Sequence, residues 1–246
     1  MTIAFFVEAD DRLLSPWFIV AGGYETELTD YFVRELQSNS HCIDVGANFG
    51  YFTCLMARFC PQGRVIGIEA DEHVYEIARD NVFINNLNNA SVLHAAASNG
   101  NAETTLYRRK TRSGNTSIAK MGEDFLRALG EPASEPFIVK AVRVDELLPQ
   151  MNNRVDFVKM DVEGAQPLVF EGARNTIAAN PNLTIVVEWS PGRIQAAGFE
   201  VPAFLTTLNA MGLRSYELAP CGLVPISVND LLNIPYRAGI ALKKSI

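Results

Sequence analysis

Short apolar runs alternate along this chain with longer stretches in which apolar positions recur three and four residues apart. The short runs predict buried strands at 41–45, 64–69, 91–96, 155–161, 183–189, 212–218 and 238–244. The helical spacing predicts helices at 25–38, 51–60, 72–87, 166–179 and 202–211. Strand and helix in alternation imply a parallel sheet with helices on both faces. Two further short strands are expected at 103–108 and 137–142. They enclose a polar segment, 109–136, rich in Gly and Pro and carrying a short helix over 122–129. An insert of that length in an α/β domain is commonly functional, so 109–136 is a candidate substrate lid; a plain surface excursion is the alternative. The final run, Gly239 to Lys244, fits an edge strand.

The first strand ends in Asp44. Gly46, Ala47, Asn48 and Gly50 follow, and helix-like sequence begins at once with Tyr51-Phe52-Thr53. A turn of small residues lets a ligand approach the backbone, and ligands of parallel α/β folds sit at the carboxyl ends of the strands. The spacing breaks the dinucleotide fingerprint, because Asn48 stands where a middle glycine would be. Packing alone would also explain the glycines. The second run ends in Glu69, twenty-five residues after Asp44. A carboxylate there suits the two hydroxyls of a ribose, although an acid at a helix start is also welcome to the helix dipole. Asp44 beneath the turn would repel a pyrophosphate, but it suits a ligand with an amino group and a sulfonium. The charge pattern therefore favours S-adenosylmethionine over NAD.

Asp44-Val-Gly-Ala-Asn-Phe-Gly50 with Tyr51-Phe52-Thr53, followed by Val65-Ile-Gly-Ile-Glu69, resembles the opening of the FkbM family of S-adenosylmethionine-dependent methyltransferases. Asp156-Phe-Val-Lys-Met-Asp161-Val-Glu-Gly164-Ala165, with Gly172-Ala173 beyond it, resembles the family's fourth-strand motif. Gly23-Tyr24-Glu25 resembles the segment before the core. The likeness runs from about residue 22 to residue 190. It implies a class I methyltransferase fold: a Rossmann-like, mostly parallel seven-stranded sheet with an antiparallel edge strand. It also implies O-methylation of a sugar or secondary-metabolite hydroxyl. In that fold Gly46, Ala47, Asn48 and Gly50 would run along the methionine part of the cofactor. Asp44 would act mainly through water or by holding the turn. Glu69 would take the ribose, Ala70 would border the adenine, and Ala97 and Ser98, assisted by Asn99, would meet its edge. Glu25 would fold over the cofactor, or serve only as an acid in the first turn of a helix.

Methyl transfer from a sulfonium needs alignment above all, and a hydroxyl nucleophile gains from a base. Asp161 and Glu163 end the fourth strand and Glu188 nearly ends the fifth, so these are the candidate catalytic carboxylates, with Asp161 also bordering the cofactor. Three acids at one mouth can split their pKa values, bind sugar hydroxyls or ligate a metal ion. No motif demands a metal, and none is assigned. His41, His73 and His94 are not placed at the methyl end. Trp189 and Tyr24 offer stacking faces, with core packing the safer reading of Trp189.

The 246 residues, 48% apolar and 20% charged, suit one α/β domain over 1–246 with a pre-core segment at 1–40. A net charge of −7 disfavours nucleic acid as a partner. Arg108-Arg109-Lys110-Thr111-Arg112 runs against that acidity and suggests an anionic substrate or, more simply, a solvated face. No apolar run is long enough for a membrane span. Four cysteines without metal-ligand spacing read as free thiols in a cytoplasmic protein. The expected partner is a small-molecule or glycan acceptor, and oligomeric state is left open. Competing readings are a noncatalytic cofactor-binding module and an NAD(P)-dependent oxidoreductase. The latter would need a phosphate-binding glycine turn and a proton donor that the sequence does not offer.

Overall fold

In the computed structural model, which describes residues 3–244, two helices precede the first strand: α1 (Leu14–Ala21) and α2 (Thr26–Glu35). Next come β1 (Cys42–Val45), α3 (Tyr51–Phe59), β2 (Val65–Glu69), α4 (Glu72–Ile84) and β3 (Ala90–His94). After them lie β4 (Ala96–Ala97), β5 (Glu103–Arg108), α5 (Glu123–Ala128), β6 (Glu135–Val142) and β7 (Phe157–Met160). The chain continues through α6 (Gln166–Gly172), α7 (Arg174–Ala179), β8 (Thr184–Trp189), α8 (Pro191–Ala196) and α9 (Val201–Ala210). It closes with β9 (Leu213–Ala219), β10 (Gly222–Ile226), α10 (Val228–Asn233) and β11 (Arg237–Lys244). Short 3₁₀ turns occupy Ser113–Asn115 and Val144–Met151.

The main sheet runs β10-β9-β11-β8-β7-β1-β2-β3, while β4, β6 and β5 form a small second sheet. From β1 the chain winds outward to β2 and β3, then returns to place β7 and β8 on the other side of β1. The gap above the β1–β7 pair is the switch point where α/β sheets bind ligands. The expected mixed, mostly parallel sheet is present, with two differences. It has eight strands rather than seven, and its last strand is not an edge. β11 is antiparallel, as the resemblance implied, but it is inserted between β8 and β9. The antiparallel edge strand is β10, folded back on β9. Pro225 within β10 obscured it in the sequence, and an edge is where a strand tolerates proline.

Alternation along each strand decides which layer a side chain enters. Ile43, Val45, Ile66, Ile68, Val158 and Met160 face the layer built by α6 to α9. Cys42, Val65 and Phe157 face α2 and α3, where Phe32, Phe52 and Met56 pack. Asp44 and Lys159 share that second face, so two charged residues lie under α3 in the sheet interior. The helix expected at 166–179 is broken into α6 and α7. At Gly172 a side chain would collide with the Ser98 carbonyl, so the break sits where helix and strand backbones touch. Helix α1 went unpredicted because LSPWFIVA is apolar on every face and shows no helical period. Helix α10 carried a readable signal, the Ser227–Asp230 capping box. No described helix is long and apolar enough to cross a membrane.

Candidate active site

A cavity of about 200 Å³ lies over the carboxyl ends of β1, β2, β7 and β8. Its floor is the turn after β1. Gly46, Asn48 and Gly50 all adopt the left-handed backbone conformation, at φ 76, 49 and 79. Asparagine is one of the few side chains that tolerate it, which is why the middle position need not be glycine. At Gly46 a Cβ would strike the carbonyl of Asp161, so β7 closes on this turn with only hydrogen to spare. Gly50 does not line the cavity. It lets α3 close on α4, where a Cβ would come within 3.3 Å of Ala78.

Every amide of the turn already has an acceptor. Gly46 and Ala47 donate to the Ile68 carbonyl at 3.0 and 2.9 Å, and Gly50 donates to Ala47. The Asn48 amide donates to Glu69 Oε2 at 2.8 Å, and that of Phe49 to the Asn48 side chain at 2.7 Å. The turn itself, residues 46–50, thus keeps no amide free for a phosphate.

Glu69 is buried and accepts three backbone amides: Asn48 on Oε2, and Ala70 and Asp71 on Oε1, both at 2.9 Å. Only Oε2 keeps a free lone pair for a ribose hydroxyl. The sequence-based expectation of two carboxylate bonds to the ribose is therefore reduced to one. Burial pushes the carboxyl up to about 7, against the pull of those amides. Asp71, not Glu69, caps α4 by accepting the His73 amide. Ala70, Ala97 and Ser98 line the far wall with Ala95, Ala96 and Leu106. Asn99 points away, donating to Glu171.

On the other side of the turn lies Lys159, whose place within an apolar strand gives no sequence signal of a site role. Its ammonium donates to the Gly46 carbonyl at 3.2 Å. It stands 3.8 Å from Asp44 Oδ1 and 3.7 Å from Asp161 Oδ2. Burial draws the Lys159 pKa down, but the facing Asp161, Asp44, Glu25 and Glu188 outweigh burial and hold it above the ordinary value. Asp44 is fully buried and accepts Thr53 Oγ1–H at 2.7 Å. It lies beneath the turn, outside the cavity lining. Burial raises its pKa, opposed by Lys159 and Thr53. Glu25 precedes α2 in the left-handed conformation and also lies outside the lining. Burial lifts its carboxyl to about 7, with Lys159 pulling the other way. Tyr24 beside it does line the cavity.

Asp161, Glu163 and Glu188 converge as expected, each offering an oxygen within 4.8 Å of the others. Arg193 on α8, unforeseen from the sequence, donates from Nη1 to Glu163 Oε1 at 2.6 Å and to Glu188 Oε1 at 2.7 Å. Burial, the Asp161 charge and a hydrogen bond to Asp161 push Glu188 up to about 8, with Arg193 opposing. Glu163 rises for similar reasons, burial first and then Glu188 and Asp161. Trp189 is core: its indole N–H bonds the Leu231 carbonyl and its ring stacks on Phe204.

The roof joins two segments. Of the 109–136 insert, only 113–118 line the cavity; they meet Leu13, Leu14 and Phe18 at α1. The basic run is paired with acids: Arg109 and Arg112 clasp the buried Glu131, Arg108 reaches Asp71, and Lys110 pairs with Glu135 at the surface. Arg109 and Arg112 brace the roof through Glu131.

Comparison with known proteins gives a family and a fold. The family model "Methyltransferase FkbM domain" matches residues 44–215. A relative named methyltransferase sdnD, from Sordaria araneosa, is 26% identical over 196 residues, 70% of this chain and 76% of that protein. Among solved structures, methyltransferase FkbM from Methylobacillus flagellatus superposes with a TM-score of 0.50 at 13% identity. The match covers 85% of this chain but only 44% of that one. Cofactor-bound Rv0187 from MTB gives 0.50 at 14% identity over 96% of this chain and 90% of that one. At such identities these structures speak for the fold alone.

Proposed function

The chain belongs to the FkbM methyltransferase family, and on that premise we propose that it transfers a methyl group from S-adenosylmethionine to a hydroxyl of a small molecule or glycan. The observation that carries this reading is one cavity with two chemically different ends. Glu69 and the alanine-rich wall lie at the end of β2; the three acids lie at the ends of β7 and β8. Three strand spacings separate Glu69 from Glu188, roughly 14 Å, room for an extended nucleoside–amino acid cofactor. The absence of free amides in the turn favours a cofactor without phosphate, and the surplus of carboxylates suits one with a positive charge.

In the reaction the acceptor oxygen bonds to the methyl carbon as the carbon–sulfur bond breaks. The electron pair stays on sulfur and the hydroxyl proton passes to the carboxylate cluster. Glu188, pushed by burial and Asp161 up to about 8, would take that proton in its ionised form, which grows as pH rises through that value. Gly46, Ala47 and Asn48 would position the methionine part. Gly50, Asp44 and Glu25 support it from behind rather than from the wall. We take 1–246 as one methyltransferase domain, since β9 to β11 complete the sheet that β1 to β3 begin. Unbridged cysteines fit a cytoplasmic setting, and the acidic chain is not expected to bind nucleic acid.

Calorimetric titration with S-adenosylmethionine, with NAD⁺ in parallel, tests the cofactor. Roughly micromolar binding of the sulfonium alone is expected (about −8 kcal/mol); binding of NAD⁺ instead would sink the reading. Product masses from a screen of sugars and polyols then test the acceptor. Asp161→Asn should lower turnover more than cofactor affinity.

A further inference from the structure

Lys159 lines the cavity and is only 5% exposed, yet its ammonium makes one hydrogen bond among the described residues, the 3.2 Å donation to the Gly46 carbonyl. Asp44 and Asp161 stand at 3.8 and 3.7 Å, near enough for charge attraction but beyond hydrogen-bond distance. The ring of Phe52, its centroid 5.3 Å from Nζ, offers a π face and no lone pair. An ammonium has three donors, so most of the hydrogen-bonding capacity of Lys159 is unused in a side chain almost wholly withdrawn from solvent. Leaving buried donors unpaired is costly. The facing acids keep the group protonated. The other cation that lines the cavity, Arg193, is already bonded to Glu163 and Glu188.

We propose that Lys159 binds the carboxylate at the amino-acid end of S-adenosylmethionine. This role rests on the methyl-transfer reading for the identity of the cofactor. The carboxylate needs donors, and the turn along which the methionine part would lie has spent its amides on Ile68, Ala47, Glu69 and the Asn48 side chain. Lys159 is anchored to the same turn through Gly46 and has donors to spare. A hydrogen bond between opposite charges is stronger than a neutral one. The ligand's own ammonium, next to its carboxylate, faces the acids around Lys159. The amino-acid end therefore enters as a balanced pair and adds no uncompensated negative charge. Holding that end also fixes where the sulfonium and its methyl group lie.

The full chain is titrated in a calorimeter with S-adenosylmethionine and with its decarboxylated analogue, which keeps the adenosine, sulfonium and amine and lacks only the carboxylate. The acids of the cavity by themselves would favour the analogue, the more cationic of the two. Wild type should nevertheless bind S-adenosylmethionine at least about tenfold more tightly, the contribution of one charge-assisted hydrogen bond. Lys159→Met combined with Asp44→Asn removes both buried charges together and should bind the two ligands equally or prefer the analogue. Asp44→Asn alone should keep the wild-type preference. The wild-type comparison needs no variant and stays decisive where the double variant does not fold. Equal affinities in wild type, an undiminished preference in the double variant, or a preference already lost in Asp44→Asn overturns the role of Lys159 and leaves the cofactor reading intact. Binding of neither ligand to wild type overturns the cofactor reading and this role with it.

Discussion

Asp44 on β1 and Lys159 on β7 are register partners in a parallel pair, with Lys159 Nζ 3.8 Å from Asp44 Oδ1 and both side chains buried. The pair lies beneath the turn, and Lys159 also holds the Gly46 carbonyl. A buried charge that loses its partner is far costlier than the pair itself.

Lys159→Met should therefore destabilise the protein by about 3–5 kcal/mol at neutral pH. Asp44 already has a raised pKa, and without the ammonium it rises further. The folded state then holds a proton that the unfolded chain releases. The penalty is absent below the unfolded pKa, near 4, and grows as pH rises above it. Urea denaturation at several pH values checks this. Adding Asp44→Asn should recover part of the loss, and equal destabilisation at low and neutral pH would refute the account.

Glu69 should make cofactor binding depend on pH. With a carboxyl raised to about 7, its ionised form, the better acceptor of a ribose hydroxyl, fades as pH falls through that value. Affinity for S-adenosylmethionine should weaken up to about tenfold between about pH 8 and pH 6. Glu69→Gln should bind more weakly at high pH and show a flatter profile. Stability has the opposite slope: the folded state keeps a proton that the unfolded chain has lost. The contribution present below the unfolded pKa thus disappears as pH climbs to about 7.

Gly46→Ala should cost about 3 kcal/mol or more, because it adds a positive-φ penalty to a collision with the Asp161 carbonyl. Gly122→Ala is the control. Its Cβ would meet open space, and the change should stay within about 1 kcal/mol. Comparable losses in chemical denaturation would rule out the close approach as the cause.

Asp11 latches the roof. Its Oδ1 accepts the amides of Leu13, Leu14 and Ser15, and its Oδ2 accepts the amide and hydroxyl of Ser113 at 2.6 and 2.9 Å. Asp11→Ala should lower stability by about 2 kcal/mol and speed release of bound S-adenosylmethionine in stopped flow. Release at the wild-type rate would show that the roof does not govern exit.

Cys221 is exposed, whereas Cys42, Cys54 and Cys60 are buried. A thiol reagent should label one cysteine rapidly in the native protein and the other three only on unfolding. Fast labelling of more than one would contradict the packing under α3.

The turn 44–50, Glu69, Asp161 and the strand–helix alternation were legible because each depends on neighbours in sequence. A strand end, a run of left-handed residues and a helix start lie within one short segment. So were the acids of the site, since strand ends in a parallel sheet point to one edge. What the sequence left unsettled depends on register and on distant segments. Lys159 has no neighbour in sequence that marks it, and only the pairing of β7 with β1 sets it beside Asp44. Arg193 was one residue of a short unpredicted helix until α8 brought it to Glu163 and Glu188. The basic run at 108–112 took its meaning from Glu131 and Asp71. β11 reads as a terminal strand by position, and only the insertion between β8 and β9 makes it interior. Hydrophobic period and turn chemistry are local and fix which elements form. Which charges meet, and which of them are left without a partner, is decided by contacts between elements far apart in the chain, and the tertiary structure alone supplies those.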